Sequence, residues 1–158
     1  MKDNSSSEID RIDLNILRLL QDNGRLTNAE LAQRVNVSAA TCHRRTQRLF
    51  DEGYIKSVRA LVDPKRLGLN TLVMVGIVLD RSTPESIAAF EAAVDVLDAI
   101  LDCDLVAGDF DYLLRLRVKD MEDYHHFLAQ NLIALPGVRQ ARTFFVVREV
   151  KTNAPMKF

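Results

Sequence analysis

The chain has 158 residues, 47% of them hydrophobic and 27% charged, with a formal net charge of −1. No apolar run approaches the ~20 residues of a membrane-spanning helix, and two cysteines, Cys42 and Cys103, are too few for a disulfide scaffold or a self-contained zinc site. The charge is uneven: residues 1–66 hold 12 Lys and Arg against 9 Asp and Glu, and residues 67–158 hold 9 against 13. That asymmetry fits a basic module facing nucleic acid, joined to an acidic one.

The opening MKDNSSSEIDR lacks the apolar core of a secretory signal and reads as a disordered lead, residues 1–8, of a cytoplasmic protein. From residue 9 the period is helical. Ile9, Ile12, Ile16, Leu19 and Leu20 recur at spacings of three and four, with Gly24 just past the end where a left-handed residue is wanted. Thr27 and Glu30 form a capping box for a short second helix that stops near Val35, and Leu26 and Leu31 staple it. Asn36, a residue that tolerates positive φ, occupies the next turn. Ser38 caps a third helix ending near residues 51–53, after which YIKSVRALVD is expected as a strand leading away. Two short helices about a tight turn, the second rich in arginine, form a helix-turn-helix of winged-helix type over residues 9–53.

Residues 54–70 read as a strand hinge, and the period then changes. TLVMVGIVLD is a strand; a helix capped by Thr83 follows, with Pro84 at its first position and Ile87, Phe90, Val94 and Leu97 inward. ILDCDLVAG alternates Leu101, Cys103 and Leu105 against Asp102 and Asp104, as a half-buried strand does. DYLLRLRV is a further strand, Asp120 caps a helix running to Leu135, and VRQARTFFVVREV is the last strand. The order is βαββαβ over residues 71–151, a ferredoxin-like αβ sandwich, with 152–158 as a tail. The fold class is therefore α+β. Both helices on one face leave the other face of the sheet bare, so pairing with a second copy is expected.

On the third helix, 100° per residue puts Cys42, Thr46, Leu49 and Phe50 inward. Cys42 is then a core residue, and it does not share a face with His43 as a metal pair would need. The outward face suits DNA. Short Ala39 and Ala40 permit close approach to base edges, Ser38, Thr41 and Arg44 can donate to bases or phosphates, and Arg45 and Arg48 suit phosphates. Arg25 and Arg34 extend the basic patch. In the second half, Gly108 with Asp109 and Asp111 brings two carboxylates to a turn. Catalysis, metal ligation, an ammonium clamp and idle solvated acids all remain open there. No nucleophile–base pair accompanies them, so no catalytic set is expected.

IDRIDLNILRLLQDNGRLTNAELAQRVNVSAATCHRRTQRLFDEGYI, followed by LVAGDFDYLL and LPGVRQARTFFVVREVK, resembles the Lrp/AsnC family of bacterial and archaeal transcription regulators, its leucine-responsive branch above all. The resemblance implies a double-stranded DNA partner. It also implies a sandwich that forms homodimers and assembles into tetramers, octamers or larger discs, and an amino-acid effector, leucine- or methionine-like, in place of any cofactor. It places that effector between dimers near residues 106–112, carrying over Gly108, Asp109, Asp111 and Tyr112. Turn amides would hold an α-carboxylate and an aspartate would accept from the α-ammonium. Leu105, Met121, Leu135 and Thr143 are further expectations for the side-chain pocket. Two departures stand out: SAATC replaces the usual SPTPC at the recognition helix, and Asn36 stands where glycine is common. A metal-sensing repressor on the same scaffold, using Cys103 with His125 or His126 across an interface, is the alternative.

Overall fold

The computed structural model describes residues 8–158, so the expected lead lies outside the described residues except for Glu8. The chain divides into two compact units: Met1–Leu61 with Lys151–Phe158, and Val62–Val150.

The first unit holds α1 (Arg11–Asp22), α2 (Asn28–Val35) and α3 (Ala39–Asp51). Each helix starts on a side-chain cap. Asp10 and Asp13 form a capping box on α1, Thr27 and Glu30 another on α2, and Ser38 accepts from the Thr41 N–H on α3. Ile16, Leu31, Ala32, Cys42 and Leu49 make the core, so the apolar stripe on α1 and the inward reading of Cys42 match the packing. Phe50, expected inward, is 38% exposed; it lies at the rim of the arc, in the last turn of α3.

Gly24 does not adopt the left-handed conformation expected of it. Asn23 caps α1 in extended backbone, and the Leu26 N–H closes the turn on the Asn23 carbonyl at 3.3 Å. Glycine matters here for space, since a Cβ would sit 2.7 Å from Val58 Cγ1. Residues 54–63 form no strand. A strand exists only in a ladder, and β1 to β4 of the second unit pair among themselves without this segment. Residues 151–158 return to α1. Gln21 exchanges two hydrogen bonds with the Met156 backbone, and the Arg18 guanidinium donates to the Phe158 carbonyl and lies over its ring.

The second unit contains β1 (Thr71–Leu79), α4 (Pro84–Asp95), β2 (Ile100–Leu105), β3 (Tyr112–Val118), α5 (Met121–Phe127) and β4 (Val138–Phe145). The sheet order is β2-β3-β1-β4, antiparallel throughout, which is the ferredoxin-like arrangement. Alternate residues Val73, Val75 and Ile77 of β1 and Tyr112, Leu114 and Leu116 of β3 face Phe90, Val94, Tyr124 and Leu132 from the helical segments.

Three element readings need correction. In β2 the register skips between Ile100, opposite Leu116, and Asp102, opposite Arg115. This bulge turns Leu101, 52% exposed, away from the face of half-buried Ile100 and Cys103, while Leu105 keeps the Cys103 face opposite Tyr112 and is 62% exposed at the end of the strand. After α5 the helix widens to a π-helical turn at Leu128–Leu132, closed by the Ile133 N–H on the Leu128 carbonyl. β4 stops at Phe145 rather than running to residue 150, because Arg115 and Arg117 of β3 draw Glu149 across the outer face of the sheet.

Candidate functional site

Two regions carry the residues that the sequence singled out. In the helical unit, Asn36 at φ +55 lets α2 turn sharply into α3, with Val37 N–H bonded to the Ala32 carbonyl. The side chain of Asn28 donates to the Ala39 carbonyl at 2.9 Å and ties the start of α2 to the start of α3. Ser38, Ala39 and Ala40 are exposed there, and Thr41 is half-buried. The Ser38 hydroxyl donates to Thr41 Oγ1 at 2.9 Å. That bond uses the serine hydrogen and leaves the threonine hydrogen to be given outward. Arg25, Arg34 and Arg44 are exposed.

Arg45 and Arg48 are placed differently. Arg48 Nη2 lies 2.5 Å from Asp13 Oδ2, and Arg45 Nη1 lies 3.0 Å from Asp13 Oδ1 and 2.7 Å from Asp10 Oδ2. Asp13 is completely buried. Its carboxylate accepts from both arginines and from the Asp10 N–H, so its charge is compensated inside the protein. Asp13 and Asp10 hold Arg45 above the ordinary arginine value, and the Asp13 N–H with Arg45 holds the Asp10 carboxyl below its own. An open concavity of about 270 Å³ is lined by Glu8, Asp10, Asp13, Arg44, Arg45 and Arg48. In sequence Arg45 and Arg48 suit phosphates, and the only local sign of their acids is the Asp-x-x-Asp pair at the start of α1, a capping signal.

In the sandwich, residues 106–111 join β2 to β3 and are anchored to β1 by three contacts. The Asp111 N–H donates to the Ile77 carbonyl at 2.8 Å, and the Asp111 carboxylate accepts from the Leu79 N–H at 2.7 Å. Phe110 lies over Gly76, where a Cβ would come within 2.6 Å of the ring, and its neighbours are Arg142 and Phe144. Glycine in mid-strand marks such an approach, so Gly76 in VMVGIV was the readable sign of Phe110. Gly108 and Asp109 are exposed, and a Cβ on Gly108 would meet open space.

The other expected effector residues do not gather at this loop. Leu105 does, pairing with Tyr112. Tyr112 itself faces the helices, 1% exposed, stacked on Phe90 and donating to Glu91 Oε1 at 2.7 Å. Burial, then Glu91, pushes its phenol well above the usual range. Strand alternation is the reason: with Asp111 bonded along β1, the next side chain must point to the opposite face. Leu135 and Thr143 also lie on the helix side, Leu135 in the core and Thr143 bonded to the Tyr124 hydroxyl. Met121 follows the far end of β3, about 20 Å along the strand from the loop.

Among the described residues no group of three or more His, Cys, Asp or Glu could hold a metal ion. Burial, with Glu91 and Asp104, pushes the Cys103 thiol up to about 11, away from the thiolate that metals bind. His125 and His126 are exposed.

Comparison with known proteins agrees with this division. Residues 9–56 match a winged helix-turn-helix DNA-binding family and residues 72–156 match the Lrp/AsnC ligand binding domain. The chain is 45% identical over 152 residues to the leucine-responsive regulatory protein of Escherichia coli strain K12, covering 96% of this chain and 93% of that one. A transcriptional regulator of Neisseria meningitidis, solved as a complex with L-Met, superimposes with a TM-score of 0.85 at 35% identity, covering 92% of this chain and 96% of that one. An AsnC family regulator of Agrobacterium tumefaciens gives 0.87 at 30% identity, with 94% and 96% covered.

Proposed function

The chain belongs to the Lrp/AsnC family of transcription regulators, and from that premise we propose that it reads DNA with the exposed start of α3 and responds to a leucine- or methionine-like amino acid bound near residues 106–111. The observation that carries the DNA reading is the grouping of Ser38, Ala39, Ala40, Thr41 and Arg44 at the exposed end of a capped helix. Small side chains admit the duplex, the threonine hydroxyl and Arg44 donate to base edges, and Arg25 and Arg34 meet phosphates. The effector reading draws on the anchored Asp111 carboxylate, on exposed Asp109 beside it, and on the L-Met complex of the Neisseria meningitidis regulator. Turn amides hold the α-carboxylate and the aspartates hold the α-ammonium. The protein works in the cytoplasm as a homodimer or a larger assembly, paired through the outer face of the sheet, where Phe144 is 49% exposed. The metal-sensing alternative has no support in the comparisons or the donor geometry.

Selecting a binding site from a random duplex pool and measuring anisotropy against it tests the first part. Arg44→Ala is expected to weaken selected-site binding by about 1–3 kcal/mol; unchanged affinity overturns the assignment of α3. Thermal unfolding against the twenty amino acids tests the second, because a ligand at a hundred times its Kd adds about 2.7 kcal/mol. Asp111→Asn keeps an acceptor for the Leu79 N–H and is expected to abolish the ligand shift while leaving the ligand-free Tm nearly in place. A retained shift removes Asp111 from the site.

A further inference from the structure

Asp13 lies 2.5 Å from Arg48 and 3.0 Å from Arg45, and Asp10 lies 2.7 Å from Arg45. Two guanidinium charges therefore face two carboxylate charges, and the cluster is electrically neutral. Non-specific attraction to DNA comes from cations that displace counterions from phosphates. A neutral cluster displaces none, however basic the helix looks in sequence. A phosphate that drew either arginine away would also leave the fully buried Asp13 carboxylate under-compensated.

We propose that Asp13, assisted by Asp10, is a specificity-determining positioning residue: acting through Arg45 and Arg48, it fixes α3 against α1 and withholds two positive charges from the DNA backbone. This rests on α3 being the DNA-facing helix. Binding at a selected site keeps its donors at Thr41 and Arg44, whereas binding to arbitrary sequence loses part of its only driving force. The ratio between the two rises as a result. Arg44 lines the same concavity as the acids, and its exposed guanidinium is the one of the three that no carboxylate in the cluster engages within ion-pair distance among the described residues.

The test is the salt dependence of binding to a random-sequence duplex, measured on the full chain. Asp13→Asn preserves shape and one acceptor while removing the charge. With Asp10 still paired to Arg45 the cluster then carries one net positive charge, and the slope of log affinity against log salt is expected to steepen by about 0.9. Between 50 and 200 mM salt that is roughly a 3.5-fold larger loss of affinity. Adding Arg48→Met to Asp13→Asn returns the slope toward the parent. Asp10→Asn is the second variant, in case Asp13→Asn does not fold; asparagine caps a helix as well as aspartate does, and a steepening of about 0.9 is expected. A role confined to packing would lower stability and leave the slope alone, so an unchanged or shallower slope in the folded variants overturns the proposal. Arg44→Ala separates the two failures. Unchanged slopes with weakened selected-site binding in Arg44→Ala overturn this proposal alone, and unchanged slopes with harmless Arg44→Ala overturn the reading of α3 as well.

Discussion

Asn36 holds the turn between α2 and α3 at φ +55, a conformation that costs most side chains about 1–2 kcal/mol. Asn36→Ala is therefore expected to destabilise by about that amount, and Asn36→Gly to leave the urea midpoint nearly unchanged. Asp10 adds a pH dependence. Its folded carboxyl titrates below the ordinary 3.8, first through the Asp13 N–H and then through Arg45. A depressed carboxyl stabilises fully above the unfolded value, and that contribution disappears as pH falls below 3.8 through the folded value. The stability gap between the parent and Asp10→Asn should close over that acid window and stay constant above pH 5 or so; a gap independent of pH would count against the ion pair. Asn36, Thr27 and Ser38 were legible in the sequence because a cap or turn is settled within four residues. Asp13 was not, since the arginines that make its burial tolerable lie 32 and 35 positions away.

At the scale of elements, the same alternation rule worked on β3 and failed on β2. Tyr112, Leu114, Leu116 and Val118 are all buried. In β2 one bulged residue was enough to turn Leu101 outward. A bulge is set by the partner strand, which the sequence of β2 does not contain. The 54–63 segment failed for a related reason, since β-rich composition supplies a candidate strand and never its neighbour. Gly76 sets the geometry of the 106–111 loop from the next strand but one. Gly76→Ala places a methyl group 2.6 Å from the Phe110 ring and forces it off the sheet, at a cost of about 1–3 kcal/mol. The variant should still fold, with a lower Tm and a weakened response to the amino acid that shifts the parent. A full ligand shift in Gly76→Ala would separate the Phe110 anchor from ligand binding.

The whole molecule is organised so that the helical unit is made from both sides of the sandwich in sequence: residues up to Leu61, and Lys151–Phe158. The two Gln21–Met156 bonds at 3.2 and 2.9 Å fasten the returning segment to α1. Gln21→Ala should weaken that fastening by about 1 kcal/mol, which raises the open population and the rate of tryptic cleavage at Lys151 about fivefold. An unchanged cleavage rate would show that Arg18 and the Phe158 ring suffice. The division into two units was legible because the hydrophobic period changes at residue 71. The return of the tail was not, since a short polar segment carries no period.

That return has a consequence for how the protein is made. A ribosome delivers the three helices first, then some ninety residues of sandwich, and only afterwards the segment that closes onto α1; at about 5–20 residues per second the interval is several seconds or longer. During it the reading head exists without its final strap. Completion of the DNA-binding unit is thus timed by the emergence of the ligand-sensing one, and a nascent chain acquires its finished grip on the genome only after the part that listens for the signal has been synthesised.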